Sequence, residues 1–302
     1  MDEDKQLGSD SQYYVGVDGG GTKCRAQVFD FQGQCLGTGV GGPANIAREP
    51  DGALHSLVES VTAALADAGL AEPGQFERTP VAAGLAGANV PSANAMLSHW
   101  QHPFYSFCFT SDLHTAILGA HLGRNGAVLI TGTGSCAAAL HDGKLIQSGG
   151  HGFQLGDKGS GAWLGRQAAS YTLEAMDGVV GNDPLVDAVL QHYQAEDSAD
   201  LVNLLNLAAP AQFAELAPLV LQLAQTGNSE VAGTLVQSGA DYLSEIARRA
   251  LLHCEGKLVL AGGLAEKIQP WLADDVLKAI VEAQSGPEWG AVLYMKSCRK
   301  AC

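Results

Sequence analysis

The residues best suited to chemistry lie in a short loop near the start of the chain. Asp18 is followed by Gly19–Gly21, Thr22 and Lys23, with an apolar run on each side of the loop. Consecutive glycines let the backbone approach a ligand closely, and their N–H groups can form an anion-binding concavity. Thr22 adds a hydroxyl donor, Lys23 adds a positive charge, and the carboxylate of Asp18 suits Mg²⁺. The loop therefore predicts a phosphate site with a metal ion beside it; a plain glycine-rich turn is the alternative.

Two common nucleotide-binding motifs do not describe this loop. The P-loop sequence GxxxxGK[ST] is absent from the chain. The dinucleotide motif GxGxxG is followed by a helix, whereas the apolar run after this loop, Cys24–Phe29, predicts a strand. The phosphate site would therefore be a glycine turn between two strands.

Two more glycine turns follow apolar runs later in the chain. Thr131–Ser135 reads TGTGS and has the same place in the second half of the chain as the first loop has in the first half. Ala261–Ala265 reads AGGLA and leads from a predicted strand into a predicted helix, where glycines would let the backbone lie flat against a planar ring. Ordinary turns are the alternative for both, because glycine is common in such connections.

Three polar side chains lie in or beside predicted turns. Asp112 ends an apolar run, 105–112, directly before a predicted helix. It could cap that helix, as could Ser111, or it could act as a general base that takes a proton from a hydroxyl group. Asn45 in GGPANI and Asp157 in QLGDKGSGAW could shape their turns through backbone hydrogen bonds. They could equally bind sugar hydroxyls, which need paired donors and acceptors.

A repeated arrangement of short strands must position these residues. Each half opens as strand, glycine turn, strand, tight turn and strand, and the tight turns are Gln32-Gly33 and His141-Asp142-Gly143. The pattern predicts an α/β protein of two halves, divided around 113–126, with a ligand cleft between them. The predicted strands are Tyr13–Val17, Cys24–Phe29, Cys35–Val40, 81–87, 105–112, Ala127–Ile130, Cys136–Leu140, Leu145–Ser148 and 257–263. The predicted helices lie around 54–65, 163–176, 213–224 and 231–252, and from about 288.

Composition and charge narrow the possible partners. The 302 residues include 17 Lys and Arg against 32 Asp and Glu, and the resulting net charge of −15 argues against nucleic acid and anionic membranes. Seven cysteines without a CxxC pair predict neither a zinc site nor a disulfide framework. Residues 1–12 lack the apolar stretch of a signal peptide, and no run approaches the roughly 18 apolar residues of a membrane span. These features predict a soluble, cytoplasmic protein.

The motifs occur in a recognisable order. DGGGTKCR, TGTGS and AGGLA resemble the phosphate-1, phosphate-2 and adenosine motifs of the actin/hexokinase/Hsp70 ATPase superfamily. GPANI, TSD before a helix, GDKGSG and EWGA narrow the resemblance to the N-acetylglucosamine kinase and glucosamine kinase group of the BadF/BadG-type ATPase family, over about residues 13–296. The resemblance implies two ribonuclease-H-like domains of the actin-like ATPase fold, facing a central cleft. The first would comprise residues 1–120 with a returning C-terminal helix, 288–302, and the second residues 121–287.

The resemblance also implies an activity. ATP, with Mg²⁺, would phosphorylate the 6-hydroxyl of N-acetylglucosamine or glucosamine in a homodimer whose domains close over both substrates. Asp112 matches the family's catalytic base and Asp18 its metal-binding residue. The residues expected to bind ATP are Gly19, Gly20, Gly21, Thr22, Lys23, Gly132, Thr133, Gly134, Ser135, Gly262 and Gly263, and those expected to contact the sugar are Asn45, Asp112, Thr133 and Asp157.

One departure from the family pattern bears on the acceptor. The chain reads GDKGS where many relatives have GDEGS, so Lys158 reverses a charge beside the expected sugar site. An N-acetyl group needs an apolar pocket with one amide partner, whereas a free 2-ammonium group needs a carboxylate. The sequence locates neither, and we favour N-acetylglucosamine over glucosamine.

Two other functions are open on the same fold. An ATPase that activates a dehydratase would hold an iron–sulfur cluster through interface cysteines, but no cysteine pair here has suitable ligand spacing. A sugar sensor without activity is the second alternative, and the intact glycine loops and Asp112 argue against it.

Overall fold

The chain forms two compact units, described by a computed structural model over residues 13–254 and 256–300. The first unit extends to Arg124 and resumes at Ala283, and the second runs from Asn125 to Glu282. The predicted divisions after residues 120 and 287 lie close to these positions. Residues 1–12, where the sequence predicts no signal peptide, and Cys302 lie outside the described residues.

Within the described residues, nine strands form two sheets. The strands of the first sheet are β1 (Tyr14–Gly19), β2 (Cys24–Phe29), β3 (Cys35–Gly41), β4 (Pro80–Leu85) and β5 (Ser106–Ser111). Those of the second sheet are β6 (Gly126–Thr131), β7 (Ser135–His141), β8 (Lys144–Gly149) and β9 (Leu258–Ala261).

The helices of the described residues lie between and after these strands, and six of them, α4 to α9, follow one another between β8 and β9. They are α1 (Pro50–Asp67), α2 (Pro91–Ser98), α3 (Asp112–His121), α4 (Gly161–Met176), α5 (Pro184–Tyr193), α6 (Ser198–Leu205), α7 (Pro210–Ala214), α8 (Ala217–Thr226), α9 (Glu230–Leu251), α10 (Ala265–Ile268), α11 (Asp274–Ala279) and α12 (Pro287–Lys300). No helix among the described residues is long and apolar enough to cross a membrane.

The two sheets share one topology. The first has the order β3-β2-β1-β4-β5, in which β1, β2 and β3 are antiparallel neighbours and β4 and β5 continue in parallel from β1. The second has the order β8-β7-β6-β9, with the same antiparallel trio and a parallel fourth strand. The repeat confirms the α/β fold with two ribonuclease-H-like domains that the sequence predicts.

Local sequence explains most of the boundaries. Asp142 and Gly143 have φ angles of 49° and 75°, as a two-residue hairpin turn between β7 and β8 requires. Helix starts are marked by side chains that accept a hydrogen bond from a first-turn N–H group. These caps are Ser111, Ser160, Asp183, Asp197 and Ser229.

One predicted helix is interrupted. The sequence predicts a single helix over 213–224, but α7 ends at Ala214 and α8 begins at Ala217. Pro218 has no N–H group to donate to the carbonyl of Ala214, so a continuous helix would lose a hydrogen bond at this point. The helices α5 and α6 precede this break in a segment for which the sequence predicts no element.

Each unit has its own core. In the first, one face of the sheet packs on α1, and the other packs on α12 through Phe29, Ala82, Ala291, Val292 and Met295. In the second, the sheet packs on α9, which in turn contacts α4 and α8. Burying the apolar side of each layer against the next supplies most of the stabilisation of such folds.

Candidate active site

The first glycine loop connects β1 to β2 and is closed by backbone hydrogen bonds. The N–H of Gly20 donates to the carbonyl of Lys23 at 2.9 Å, and the carbonyl of Gly20 accepts from the N–H of Ala44 at 2.9 Å. Gly19 is buried, and a Cβ there would lie 2.5 Å from a leucine side chain of β4. Gly21 is exposed, and a Cβ there would meet no heavy atom within 4 Å. Gly19 is therefore closely packed against β4, and a larger residue there would displace the leucine side chain, whereas the backbone from Gly21 to Lys23 is open to a ligand.

Asp18 lies on β1, directly before this loop and opposite Arg25 on β2. Burial, followed by the negative charges of Glu288 and Asp112, raises the pKa of the Asp18 carboxyl group to about 7. The positive charges of Arg25 and Lys23 lower the same pKa. A cation bound at Asp18 would favour its ionised form, so this carboxylate is well suited to metal binding.

Asp112 is the first residue of α3, and it does not cap the helix. Ser111 is the cap, because its Oγ accepts a hydrogen bond from the N–H of His114 at 3.2 Å. The Oδ1 atom of Asp112 accepts from the N–H of Leu113 at 2.9 Å. Burial raises the pKa of Asp112 in spite of this hydrogen bond. Of the two roles that the sequence leaves open for Asp112, the structure gives the cap to Ser111 and leaves the carboxylate available for proton transfer.

Asn45 lies beside the first glycine loop and shapes a turn. Its Oδ1 atom accepts from the N–H groups of Ala47 and Arg48, both at 3.2 Å. The adjacent Ala44 is the residue that donates to Gly20 in the loop. The turn-forming role of Asn45 is thus present, and its side-chain NH₂ group has two hydrogens to offer a ligand.

The second glycine loop connects β6 to β7, and Asp157 holds it in place. Asp157 is only 8% exposed and has a φ of 58°. Its carboxylate accepts hydrogen bonds from the N–H groups of Ser135 and Gly152. A Cβ on Gly134 would lie 2.9 Å from its Oδ2 atom, so the loop needs glycine there. Burial raises the pKa of Asp157, while these two N–H groups and the charge of His151 lower it.

Other donors of the second loop are also engaged within the unit. The Oγ of Ser135 donates to the carbonyl of Lys158 at 2.9 Å. The N–H of Gly132 donates to the carbonyl of Gly134 at 2.9 Å, and the carbonyl of Gly132 accepts from Gly161 at the start of α4. Since both donors of Ser135 are used internally, its contribution is to fix the loop.

The AGGLA turn lies against the second glycine loop. The N–H of Leu264 donates to the carbonyl of Thr131 at 3.1 Å. Gly262 has a φ of 100°, and a Cβ there would lie 2.2 Å from the same carbonyl oxygen. A Cβ on Gly132 would lie 3.6 Å from the backbone nitrogen of Gly263. The structure therefore brings Gly132, Gly262 and Gly263 together in one unit, as it brings Asp18, Asn45 and Asp112 together in the other.

Lys158 extends over an aromatic ring. Its Nζ lies 5.6 Å from the centroid of Trp163, a buried residue in the first turn of α4. A cation over the face of an indole ring is attracted by the ring's quadrupole. The positive charge of Lys158, which the sequence predicts to lie beside the sugar site, therefore interacts with the Trp163 ring.

Two residues that the sequence does not mark out for chemistry lie beside Asp18. Glu288, in the first turn of α12, is fully buried, and its Oε1 atom accepts a hydrogen bond from Nε of Arg25. Its Oε2 atom has no hydrogen-bond partner among the described residues. The EWGA motif contains Glu288 and contributes to the family resemblance, but it does not predict that Glu288 is buried. The burial of Glu288 is accompanied by a hydrogen bond from Arg25, which lies 263 positions earlier in the chain.

The donors near Asp18 fit Mg²⁺. Within the described part of the chain, no group of three or more His, Cys, Asp or Glu side chains could hold a metal by themselves. Mg²⁺ does not need such a cage, because it binds one or two carboxylates and keeps waters and nucleotide phosphates as its other ligands. Asp18 supplies such a carboxylate, and the Oε2 atom of nearby Glu288 is an acceptor without a partner among the described residues.

The motifs and their geometry agree with a known family. The model of the BadF/BadG/BcrA/BcrD ATPase family matches residues 15–295. The chain belongs to this family. The match to the BadF/BadG/BcrA/BcrD family includes all the candidate site residues, from Asp18 to Gly263.

Three similar proteins cover nearly the whole chain. The glucosamine kinase GspK of Vibrio cholerae is 38% identical over 283 residues, which are 93% of this chain and 95% of that protein. The N-acetyl-D-glucosamine kinase of Dictyostelium discoideum is 26% identical over 96% of this chain and 99% of that protein. A crystal structure from Chromobacterium violaceum, named as a candidate N-acetylglucosamine kinase, has a TM-score of 0.86 at 33% identity and covers 93% of this chain and 98% of that one.

Proposed function

We propose that the protein is an amino-sugar kinase that transfers the γ-phosphate of ATP to the 6-hydroxyl of its acceptor. Membership of the BadF/BadG/BcrA/BcrD ATPase family supports the use of ATP. The names of the relatives, a glucosamine kinase and an N-acetyl-D-glucosamine kinase, support an amino sugar as acceptor. The transfer to the 6-hydroxyl is our inference from the resemblance of the motifs.

The observation that carries this proposal is the state of Asp112. It is a carboxylate at the end of a strand, its capping role is taken by Ser111, and burial raises its pKa. A base whose pKa lies closer to neutral accepts protons more effectively at physiological pH. Asp112 takes the proton of the sugar hydroxyl while the hydroxyl oxygen bonds to the γ-phosphorus, the bridging bond to the β-phosphate breaks, and ADP leaves.

The remaining site residues bind and orient the substrates. The open backbone of Gly21, Thr22 and Lys23 binds phosphate oxygens, and Thr133 and Gly134 do so in the second unit. Gly262 and Gly263 approach the adenosine. Asp18 binds Mg²⁺, which neutralises charge on the β- and γ-phosphates when it is bound. Asn45 offers its NH₂ group to a sugar hydroxyl.

For the acceptor, we place glucosamine before N-acetylglucosamine, in contrast to the preference drawn from the sequence. The support is the higher identity to the glucosamine kinase, 38% compared with 26% for the N-acetylglucosamine kinase. The cytoplasmic location stays a prediction of the sequence features and the homodimer a prediction of the resemblance; size-exclusion chromatography with light scattering tests the homodimer.

A coupled assay of ADP release tests the function. The acceptors are glucosamine, N-acetylglucosamine, N-acetylmannosamine, N-acetylmuramate and glucose, each with Mg·ATP. We expect sugar-dependent ADP release with the largest kcat/KM for glucosamine, and a product phosphorylated at the 6-hydroxyl by NMR. ADP release that no sugar accelerates would contradict the kinase and favour an ATPase of another role.

A further inference from the structure

A buried glutamate in the first unit has an oxygen without a partner. Glu288 is fully buried, and Arg25 binds only its Oε1 atom. The Oε2 atom has no hydrogen-bond partner among the described residues. A buried carboxylate whose acceptor sites are not used is costly, because it has given up its hydrogen bonds to water. This oxygen therefore needs a donor that the described residues do not supply.

The backbone places this carboxylate beside Asp18. Residues directly opposite each other on antiparallel strands point to the same face, and Asp18 is paired in this way with Arg25. Gly16, two residues before Asp18, lies on that same face. A Cβ on Gly16 would lie 1.9 Å from the carbonyl oxygen of Glu288, so the first turn of α12 rests directly on β1. Asp18 is the cross-strand neighbour of Arg25, so the hydrogen bond from Arg25 to Glu288 holds the Glu288 side chain close to Asp18.

Ion pairing alone is a weak reason for this arrangement. Arg25 is 38% exposed, whereas the side chain of Glu288 is fully buried. Taking a carboxylate out of water costs several kcal/mol, and an apolar pair of similar volume often gives equal or greater stability. Three carboxylates, Asp18, Glu288 and Asp112, lie near two positive charges, those of Arg25 and Lys23. A further cation, present when the protein works, would balance the charge.

We propose that Glu288 is a positioning residue of the magnesium site: its Oε2 atom accepts a hydrogen bond from a water bound to the Mg²⁺ at Asp18. Mg²⁺ in nucleotide sites retains several waters, and their O–H groups are the donors that Oε2 lacks. The inference rests on the proposed use of Mg·ATP. It adds a residue from the last helix to a site otherwise formed by β1 and its loop.

Calorimetry of ADP binding, without sugar, tests this role. The dissociation constant is measured with Mg²⁺ and with EDTA, and the ratio of the two constants gives the contribution of the metal. Glu288→Gln keeps the volume and an acceptor for Arg25, but it presents an NH₂ group where the water should donate. We expect the ratio to fall by about 10–100-fold, with the metal-free dissociation constant unchanged.

Two further variants separate the metal role from the ion pair. Arg25→Lys keeps the positive charge beside Glu288, and we expect it to retain the wild-type ratio. Glu245→Gln removes an exposed carboxylate that also pairs with arginines, Arg248 and Arg249, and controls for the change in net charge. Circular dichroism and a thermal melt check that each variant is folded.

The outcomes distinguish a role of Glu288 in magnesium binding from a purely structural role as the partner of Arg25. A wild-type ratio in Glu288→Gln, or an equal loss in Arg25→Lys, would overturn the proposal and leave Glu288 as the structural partner of Arg25. Should Glu288→Gln not fold, Glu288→Asp decides in the same way, because it keeps the buried charge but withdraws it by one methylene. A wild-type protein that binds ADP equally with and without Mg²⁺ would overturn the proposed use of Mg·ATP as well.

Discussion

The carboxylate of Asp157 accepts a hydrogen bond from the backbone N–H of Ser135. The acid is buried, it lies 22 residues after its donor, and it also receives the N–H of Gly152. The second glycine loop is therefore shaped by a side chain outside it. Because a charged acceptor forms stronger hydrogen bonds than a neutral one, the loop geometry depends on the charge of Asp157.

Replacing Asp157 by Asn should weaken the binding of ATP more than the binding of the sugar. Asn tolerates the left-handed backbone at this position, where φ is 58°, but it loses the charge that holds two N–H groups. Losing a hydrogen bond to a charged group costs about 1.5–3 kcal/mol, and we expect the KM for ATP to rise roughly tenfold or more. Asp142→Asn, at an exposed turn residue with a φ of 49°, is the matched control. A rise confined to the KM of the sugar would instead place Asp157 against the acceptor.

Neighbouring residues at the start of α3 should separate catalysis from stability. Asp112→Asn should lower kcat by about 10²–10⁴, the usual contribution of a positioned base, with little change in the melting temperature. Ser111→Ala should lower the free energy of unfolding by about 1 kcal/mol, because it removes the helix cap, with kcat nearly unchanged. Steady-state kinetics and urea unfolding measure the two effects. Loss of stability in Asp112→Asn together with full turnover would reverse the assignment.

Asp18 should make the stability of the metal-free protein depend on pH. Its pKa is raised from 3.8 to about 7, so the protonated form contributes stability that is fully present below pH 4 and is lost as the pH rises to 7. The Asn side chain in Asp18→Asn is neutral at every pH. In EDTA, the free energy of unfolding of this variant should therefore rise relative to that of the wild type between pH 4 and 7, by up to about 4 kcal/mol. Urea unfolding at several pH values measures the difference. Mg·ADP should reduce this difference in the free energy of unfolding, because the bound cation favours the ionised carboxylate of the wild type. A difference between the two proteins that does not change with pH would contradict the prediction.

Lys158 should affect stability rather than the choice of acceptor. Its Nζ lies 5.6 Å from the ring centroid of Trp163, and such contacts contribute about 0.5–2 kcal/mol. Lys158→Glu reverses the charge over the ring and should lower the free energy of unfolding by about this amount. The ratio of kcat/KM for glucosamine to that for N-acetylglucosamine should change less than about threefold. A larger change in this ratio would place Lys158 at the acceptor, and Lys144→Glu, at the exposed first residue of β8, is the control.

The sequence predicts the strands of both units well because most are short apolar runs, and several of these end at a glycine turn. The strand Cys24–Phe29 has the same bounds in the prediction and in the structure. The turn at Asp142-Gly143 is predicted because Asp followed by Gly favours a two-residue hairpin turn. The helices α5 and α6 lie in a segment without a clear periodic signal. The break before α8 depends on one proline, Pro218, inside an otherwise helical pattern.

The candidate site is predictable only where local sequence carries the signal. The glycine loops are of this kind. The choice between Ser111 and Asp112 as a cap is not, because both residue types cap helices and only the hydrogen-bond geometry separates them. Glu288 shows the same limit, since a glutamate in the first turn of a helix is usually exposed. Its burial follows from contacts with β1 and Arg25 that no local pattern contains.

The place of α12 in the first unit has a consequence for folding during synthesis. The sheet face formed by Phe29 and Ala82 is covered by Ala291, Val292 and Met295, which leave the ribosome more than 200 residues later. The second unit, from Asn125 to Glu282, is contiguous and can fold first, although it is made later. At about 5–20 residues per second, the nascent first unit exposes an apolar face for roughly 10–50 s. We expect chaperones that bind exposed apolar surface to bind this face during that interval.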